Sequence, residues 1–204
     1  MNDVEILKKI EKKVLWLACW MIHNANHIRE NQDGLKVGGH QASSASIVSI
    51  MTALYFNILR PEDRVAVKPH ASPVFHAIQY LSGLQTKEKI ENFRGFGGAQ
   101  SYPSRTKDID DVDISTGSVG LGVAMTSFIS LIQDYIARKK FYNNRQLGRM
   151  IALVGDAELD EGNVYECLQE GWKHDLRNVW WIIDYNRQSL DGVVHEGLSE
   201  RLSS

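Results

Sequence analysis

Cysteine is scarce: Cys19 and Cys167 are the only two in the chain. Both lie in stretches with helical apolar spacing, which suits reduced core residues and excludes a disulfide framework as the source of stability. Long hydrophobic runs are missing as well. The longest, VLWLACWMI over 14–22, is too short to span a bilayer, and the leading MNDVEILKKIEKKV has no apolar core with a small-residue cleavage site. The chain reads as soluble and cytoplasmic, with no membrane partner. An excess of charge of either sign is lacking too: 23 Lys and Arg face 25 Asp and Glu. No broad field draws nucleic acid or an acidic membrane, so any phosphate ligand must be held locally. There is no internal repeat, low-complexity tract or composition break to mark a linker. A chain of 204 residues fits one large domain, burying roughly 70% of the surface its unfolded form exposes.

What is present is a periodicity that changes along the chain. From Asp3 to about Asn31, Ile6, Ile10, Leu15, Leu17 and Met21 recur among charges, predicting one or two amphipathic helices. Glycines stop that pattern in NQDGLKVGGHQASS, beside His40. Ile47, Ile50, Met51, Leu54, Tyr55 and Ile58 form one helical face that ends before Pro61. RVAVK is a short strand candidate running into the loop PHASP, and 72 to about 92 reads as helix. RGFGGAQSYPSRTKDIDD is too rich in Gly, Pro and charge to be other than loop, while Val119 to Arg138 is apolar on nearly every side and predicts a buried helix.

The last third is the clearest. MIALV and VWWIID are unbroken apolar runs, and the residues between them have helical spacing. Strand, helix, strand with both strands buried on two faces predicts an α/β fold: an open, mainly parallel sheet with helices on both faces. In such a sheet ligands bind beyond the carboxyl ends of the strands. Asp156 follows the first of these strands and Asn186 the second. With neighbouring strands about 4.8 Å apart, the Asp156 carboxylate and the Asn186 amide oxygen can converge on one small ion. Oxygen-only ligands suit magnesium or calcium rather than zinc. A helix starting near Asn163 would turn backbone N–H groups toward the same crevice and favour an anion beside the metal. The plainer reading of Asp156, Glu158, Asp160 and Glu161 is four acids stabilising a helix start; the polar DYNRQSLDG directly after so apolar a strand weighs against it for Asp156.

Gly155-Asp156-Ala157, then residues 158 to 185, then Asn186 resembles the thiamine diphosphate signature of the transketolase superfamily, in the spacing of transketolases and of the homodimeric pyruvate dehydrogenase first component. The resemblance implies that Asp156 and Asn186 give side-chain oxygens to Mg2+ and Gln188 its backbone carbonyl. Gly155, Asp156, Ala157, Glu158, Asn186 and Leu190 would contact the cofactor, Glu158 through its backbone. GGHQASSASIVSI and KPHASP look like the segments in which these enzymes place active-site histidines, giving His40 and His70 as catalytic candidates. TGSVGLG resembles the Gly-rich turn that approaches the cofactor, giving Gly120 and Gly122, although close helix packing explains such glycines equally well. NFRGFGGAQSYPSR looks more like the pyruvate dehydrogenase branch than like transketolase. His76 and His174, inside predicted helices, read as packing or surface residues.

Two positions depart from the family pattern. Ala157 stands where the family usually has Gly, adding a methyl and removing backbone freedom near the diphosphate. Lys68 stands where the pyruvate dehydrogenase branch tends to have a neutral polar residue. The resemblance implies that the glutamate activating the cofactor lies in a pyrimidine-binding domain, which is expected to be absent from this chain. The expectation is therefore a single, incomplete diphosphate-binding domain over 1–204, a fragment of a longer polypeptide or one subunit of a split enzyme, that decarboxylates a 2-oxo acid such as pyruvate only with a pyrimidine-binding domain or subunit, in a homodimer or split-subunit assembly. The competing expectations are transketolase-type ketol transfer between sugar phosphates and a non-catalytic module of the same fold. A nicotinamide enzyme is disfavoured because the glycine order in GSVGLG is not G-x-G-x-x-G.

Overall fold

A computed structural model describes residues 3–31, 34–141, 146–189 and 192–193. Its centre is a three-stranded sheet in the order β1-β2-β3, from β1 (Arg64–Ala66), β2 (Met150–Gly155) and β3 (Val179–Asp184). Both pairings are parallel, with Ala66 opposite Ala152 and Gly155 opposite Asp184. The predicted strand, helix, strand unit is β2, α7 (Gly162–Lys173) and β3.

Residues alternate in face along β2, and each face has its own cover. Ile151 and Leu153 join Val65 and Val67 in a core closed by Val14, Ala18 and Met21 of α1 (Asp3–His23), Val48 and Met51 of α3 (Val48–Ala53), and Val74, Phe75 and Ile78 of α4 (Ser72–Leu81). On the opposite face Ala152 and Val154 pack against Val123 and Ala124 of α6 (Leu121–Arg138) and Val164 and Cys167 of α7. Helices thus cover both faces of β2, as its unbroken apolar run requires, whereas β3, expected from its sequence to be buried on both faces, is an edge strand that is only partly covered, with Trp180 exposed. Cys19 and Cys167 are both free thiols.

Several elements are shorter than the periodicity implies. The first helix ends at His23 and is followed by a single wide turn over Asn24–Ile28, in which the Arg29 N–H reaches the Asn24 carbonyl at 2.9 Å. The face read from Ser43 to Ile58 is divided among α2 (Gln41–Ala45), α3 and a wide turn over Leu54–Ile58. The stretch 72–92 breaks at Gly83, φ 77°, between α4 and α5 (Lys87–Glu91). The segment after β2 is not the start of α7: a tight helical turn over Asp156–Asp160 comes first. The expectation of a fully buried helix over 119–138 needs correcting. Phe128, Ile132 and Tyr135 form an exposed apolar stripe along α6, because only the opposite side of that helix meets the sheet.

Candidate functional site

The carboxyl ends of the strands open into a cavity of about 350 Å³ whose wall includes His40, Lys68, His70, Asp156, Glu158 and Asn186. That volume lies within the range of small-molecule and cofactor pockets. Residues as distant in sequence as 40 and 186 meet there because the three strands run parallel and end on the same side.

Asp156 begins the turn after β2 and is only 1% exposed. Its Oδ1 accepts the Ala157 N–H at 3.0 Å and its Oδ2 the Arg187 N–H at 2.6 Å. Arg187 adopts φ 58° to present that N–H, a conformation uncommon for a non-glycine residue. Asn186 follows β3, and its Nδ2 donates to Ser46 Oγ at 3.2 Å. Gln188 opens β4 (Gln188–Ser189), which pairs antiparallel with β5 (Gly192–Val193) and packs beside the 156–160 turn. The buried Asp156 carboxylate and the Asn186 amide, at the ends of neighbouring strands, are oxygen donors of the kind that could hold a hard cation retaining waters and ligand phosphates. Leu190 lies outside the described residues.

Glu158 departs from the sequence reading, which gave it a backbone role alone. Its side chain bridges two loops: Oε1 accepts the Gly155 N–H at 3.3 Å and Oε2 the Gly120 N–H at 3.2 Å. Burial raises its pKa above the ordinary carboxyl value, against the pull of those two N–H groups. Gly120 precedes α6 with φ 76°, a backbone conformation that favours glycine, and a Cβ there would also push aside the Asn163 side chain, whose Oδ1 would lie 2.4 Å away. Gly122 is placed differently. It lies in the first turn of α6, where a Cβ would come 3.2 Å from Ala66 Cβ, so its smallness lets the helix approach β1.

Ala157 has a negative φ. Its methyl packs beside the second core, with no conformational demand for glycine at this position. The loss of backbone freedom expected from this departure is therefore without a structural cost.

The histidines stand across the cavity from Asp156. His70 lies in a single helical turn, Pro69–Ala71, directly after β1, and His40 caps the start of α2. Their ring centroids are 4.9 Å apart. Burial lowers the His70 pKa, and the neighbouring His40, Lys68 and Arg94 push it the same way, so the imidazole favours its neutral form. A neutral imidazole can accept a proton from a substrate hydroxyl or donate one to a developing alkoxide.

The loop carrying His40 is held by a residue that sequence reading passed over. Asn26, in the wide turn after α1, donates to the Gly38 carbonyl at 3.0 Å and accepts the Gly38 N–H at 3.0 Å. Such a two-way amide lock leaves no periodic trace. Ser46 and Asp184, which meet at 2.6 Å with Lys68 on the same carboxylate oxygen, are likewise contacts between distant positions that apolar spacing does not record. His76 is a packing residue: fully buried, it pairs through Nδ1 with Asp110 and through Nε2 with the Gln100 carbonyl. His174 is exposed at the end of α7, 3.5 Å from Glu170.

The chain is 27% identical to the pyruvate dehydrogenase E1 component of Mycolicibacterium smegmatis, with 95% of this chain and 21% of that protein covered. It thus spans about a fifth of the length of the curated relatives it matches. Among solved structures, transketolase from Leishmania mexicana superposes with a TM-score of 0.80 at 19% identity, covering 97% of this chain and 30% of that one. Transketolase from Campylobacter jejuni superposes with a TM-score of 0.77 at 26% identity, covering 100% of this chain and 32% of that one. The family model described as "Transketolase, thiamine diphosphate binding domain" matches residues 38–204, and these residues include every wall of the cavity described above. The chain belongs to the transketolase thiamine diphosphate binding domain family.

Proposed function

We propose that this chain binds thiamine diphosphate together with Mg2+ as the diphosphate-binding half of an enzyme that decarboxylates a 2-oxo acid such as pyruvate. The observation that carries this reading is that one cavity brings the buried Asp156 together with the half-buried Asn186 and His70 and the exposed His40. Asp156 and Asn186 would hold the metal by side-chain oxygens and Gln188 by its carbonyl, all from the same ends of β2 and β3. Thiamine diphosphate, when bound, supplies the nucleophilic carbon and electron sink that cleaving a bond beside a carbonyl requires. The protein contributes orientation and proton transfer. His70, pushed toward neutrality, accepts or donates a proton at the substrate oxygen, and His40 stands within ring contact to share that role.

Pyruvate as substrate class rests on the relatives, several of which are pyruvate dehydrogenase E1 components. Transketolase-type ketol transfer is the second reading, favoured by the transketolase superpositions. Consumption of pyruvate against a ketose phosphate by the complete enzyme distinguishes them. The catalytic partner in this reading is a pyrimidine-binding domain or subunit, in a homodimer or split-subunit assembly. The exposed stripe Phe128, Ile132 and Tyr135 offers apolar surface for such a contact. No helix among the described residues is long and apolar enough to cross a membrane, and a cytoplasmic location completes the proposal.

The decisive experiment is calorimetric titration of thiamine diphosphate, with and without magnesium, on the chain and on Asp156→Ala and Asn186→Ala. Metal-dependent binding that both substitutions abolish is expected. Binding indifferent to the metal and to both substitutions overturns the assignment. Turnover by the chain alone would disprove the requirement for a partner.

A further inference from the structure

We infer that Lys68, Asp184 and Ser46 form a positioning relay that fixes which end of the Asn186 amide faces the cavity, and so sets the metal affinity of the crevice. The inference rests on the proposed metal role of Asn186, but none of these three residues is itself a proposed ligand.

Lys68 follows β1 and Asp184 closes β3, two strands that are not neighbours because β2 lies between them. Two strand spacings amount to roughly 10 Å, a span that suits the long lysine side chain. The ammonium meets Asp184 Oδ2 at 2.6 Å, with the two side chains 4% and 5% exposed. A buried ion pair seldom stabilises a fold more than a well-packed apolar pair would, because both charges lose their hydration. Its placement across the end of β2, beside Asp156, calls for another role.

The hydrogen-bond chemistry supplies one. Lysine has only donors, so the Asp184 oxygen facing it is an acceptor. The same Oδ2 lies 2.6 Å from Ser46 Oγ and the Ser43 carbonyl oxygen 3.3 Å from it, both acceptors, and the shorter contact with the carboxylate takes the one hydroxyl proton. Toward Asn186 the Ser46 Oγ can therefore only accept, and it accepts from Asn186 Nδ2 at 3.2 Å. Asn186 Nδ2 also points to Asp184 Oδ2 at 3.4 Å. Each step forces the next, and the amide must turn its NH2 toward Ser46 and its carbonyl oxygen elsewhere. Only that carbonyl oxygen can ligate a hard cation. A flipped amide would set two acceptors against each other at Ser46 and offer NH2 to the metal.

The test is the magnesium concentration that half-saturates thiamine diphosphate binding to the full chain, read by calorimetry, with thermal unfolding confirming that each variant folds. Ser46→Ala breaks the relay without touching the ion pair, and Asp184→Ala breaks both. Half-saturation is expected to rise about ten- to a hundredfold in each, the range for residues that orient metal ligands. Affinity for the cofactor at saturating magnesium should stay near that of the unsubstituted chain, which a general loss of structure would not allow. If Asp184→Ala fails to fold, Ser46→Ala alone decides. A folded Ser46→Ala chain with unchanged magnesium dependence overturns the relay while leaving the proposed function standing. An unsubstituted chain that binds thiamine diphosphate without regard to magnesium overturns the proposed function and the relay with it.

Discussion

The backbone N–H of Arg187 donates to Oδ2 of Asp156 at 2.6 Å, across 31 positions of the chain. This contact ties the turn after β2 to the turn after β3. Both Asp156 oxygens accept backbone N–H groups, the second from Ala157 at 3.0 Å. An asparagine would place its NH2 against one of those donors in a buried setting. Asp156→Asn is therefore expected to destabilise the chain by about 1–3 kcal/mol even without cofactor. Urea unfolding measures this, and an unchanged midpoint would contradict the paired-acceptor role.

Restoring the family's usual residue at position 157 should not help. Ala157 has a negative φ and its methyl packs beside the second core. Ala157→Gly is expected to cost about 0.5–1 kcal/mol through the greater freedom of the unfolded chain. Thiamine diphosphate affinity should not improve. A tighter-binding glycine variant would show that the methyl obstructs the diphosphate after all.

Glu158 makes stability depend on pH in a direction opposite to most carboxylates. Burial raises its folded-state pKa above 4.5. As pH rises from that ordinary value through the raised one, the unfolded chain has released a proton that the folded chain retains, so stability falls across the window. The contribution is fullest below about pH 4.5. Glu158→Gln cannot titrate and should gain stability relative to the unsubstituted chain as pH increases. Thermal melts of both proteins at several pH values check the sign; parallel curves would reject it.

His70 should titrate below its ordinary value of 6.5, chiefly through burial and secondarily through His40, Lys68 and Arg94. His40→Ala removes one contributor and is expected to raise the His70 midpoint part of the way, with burial keeping it low. Proton NMR of the imidazole ring follows this directly. Since the folded pKa is depressed, stability from His70 is present above 6.5 and lost as pH falls through the folded value.

Away from the cavity, Asp63 anchors the amino ends of β1 and β2. It is 4% exposed and accepts the Arg60 N–H at 2.9 Å, the Arg149 N–H at 2.8 Å and the Arg149 guanidinium. Burial alone would raise its pKa, but the bonds from Arg149 and Arg60 and the Arg149 charge together outweigh that and lower it. Asp63→Ala should cost about 3–5 kcal/mol, as for breaking one side of a buried pair. Its effect on cofactor binding should be secondary to unfolding, because the residue sits at the opposite ends of the strands.

The β2-α7-β3 unit was legible because each strand is an unbroken apolar run and α7 keeps its helical spacing, so Asp156 and Asn186 could be placed at strand ends from residue types alone. Helix lengths were less legible. Apolar spacing continues through 43–58 and 72–92, while the breaks are made by backbone turns that periodicity does not record. For α6, composition suggested burial on every side, but a helix lying on a sheet can bury only the side that faces it, leaving Phe128 and Ile132 outside.

By itself, the sequence determined the parallel sheet, the acid and amide at its carboxyl ends, and the two histidines that follow Gly39 and Pro69. These depend on local pattern and on the rule that parallel strands end together. The tertiary structure alone decided that the Glu158 side chain joins Gly155 to Gly120, that Gly122 serves packing against Ala66, and that Lys68 crosses β2 to reach Asp184. Each of these is a contact between residues far apart in the chain, set by strand order and side-chain reach, and neither quantity is written in the spacing of residues.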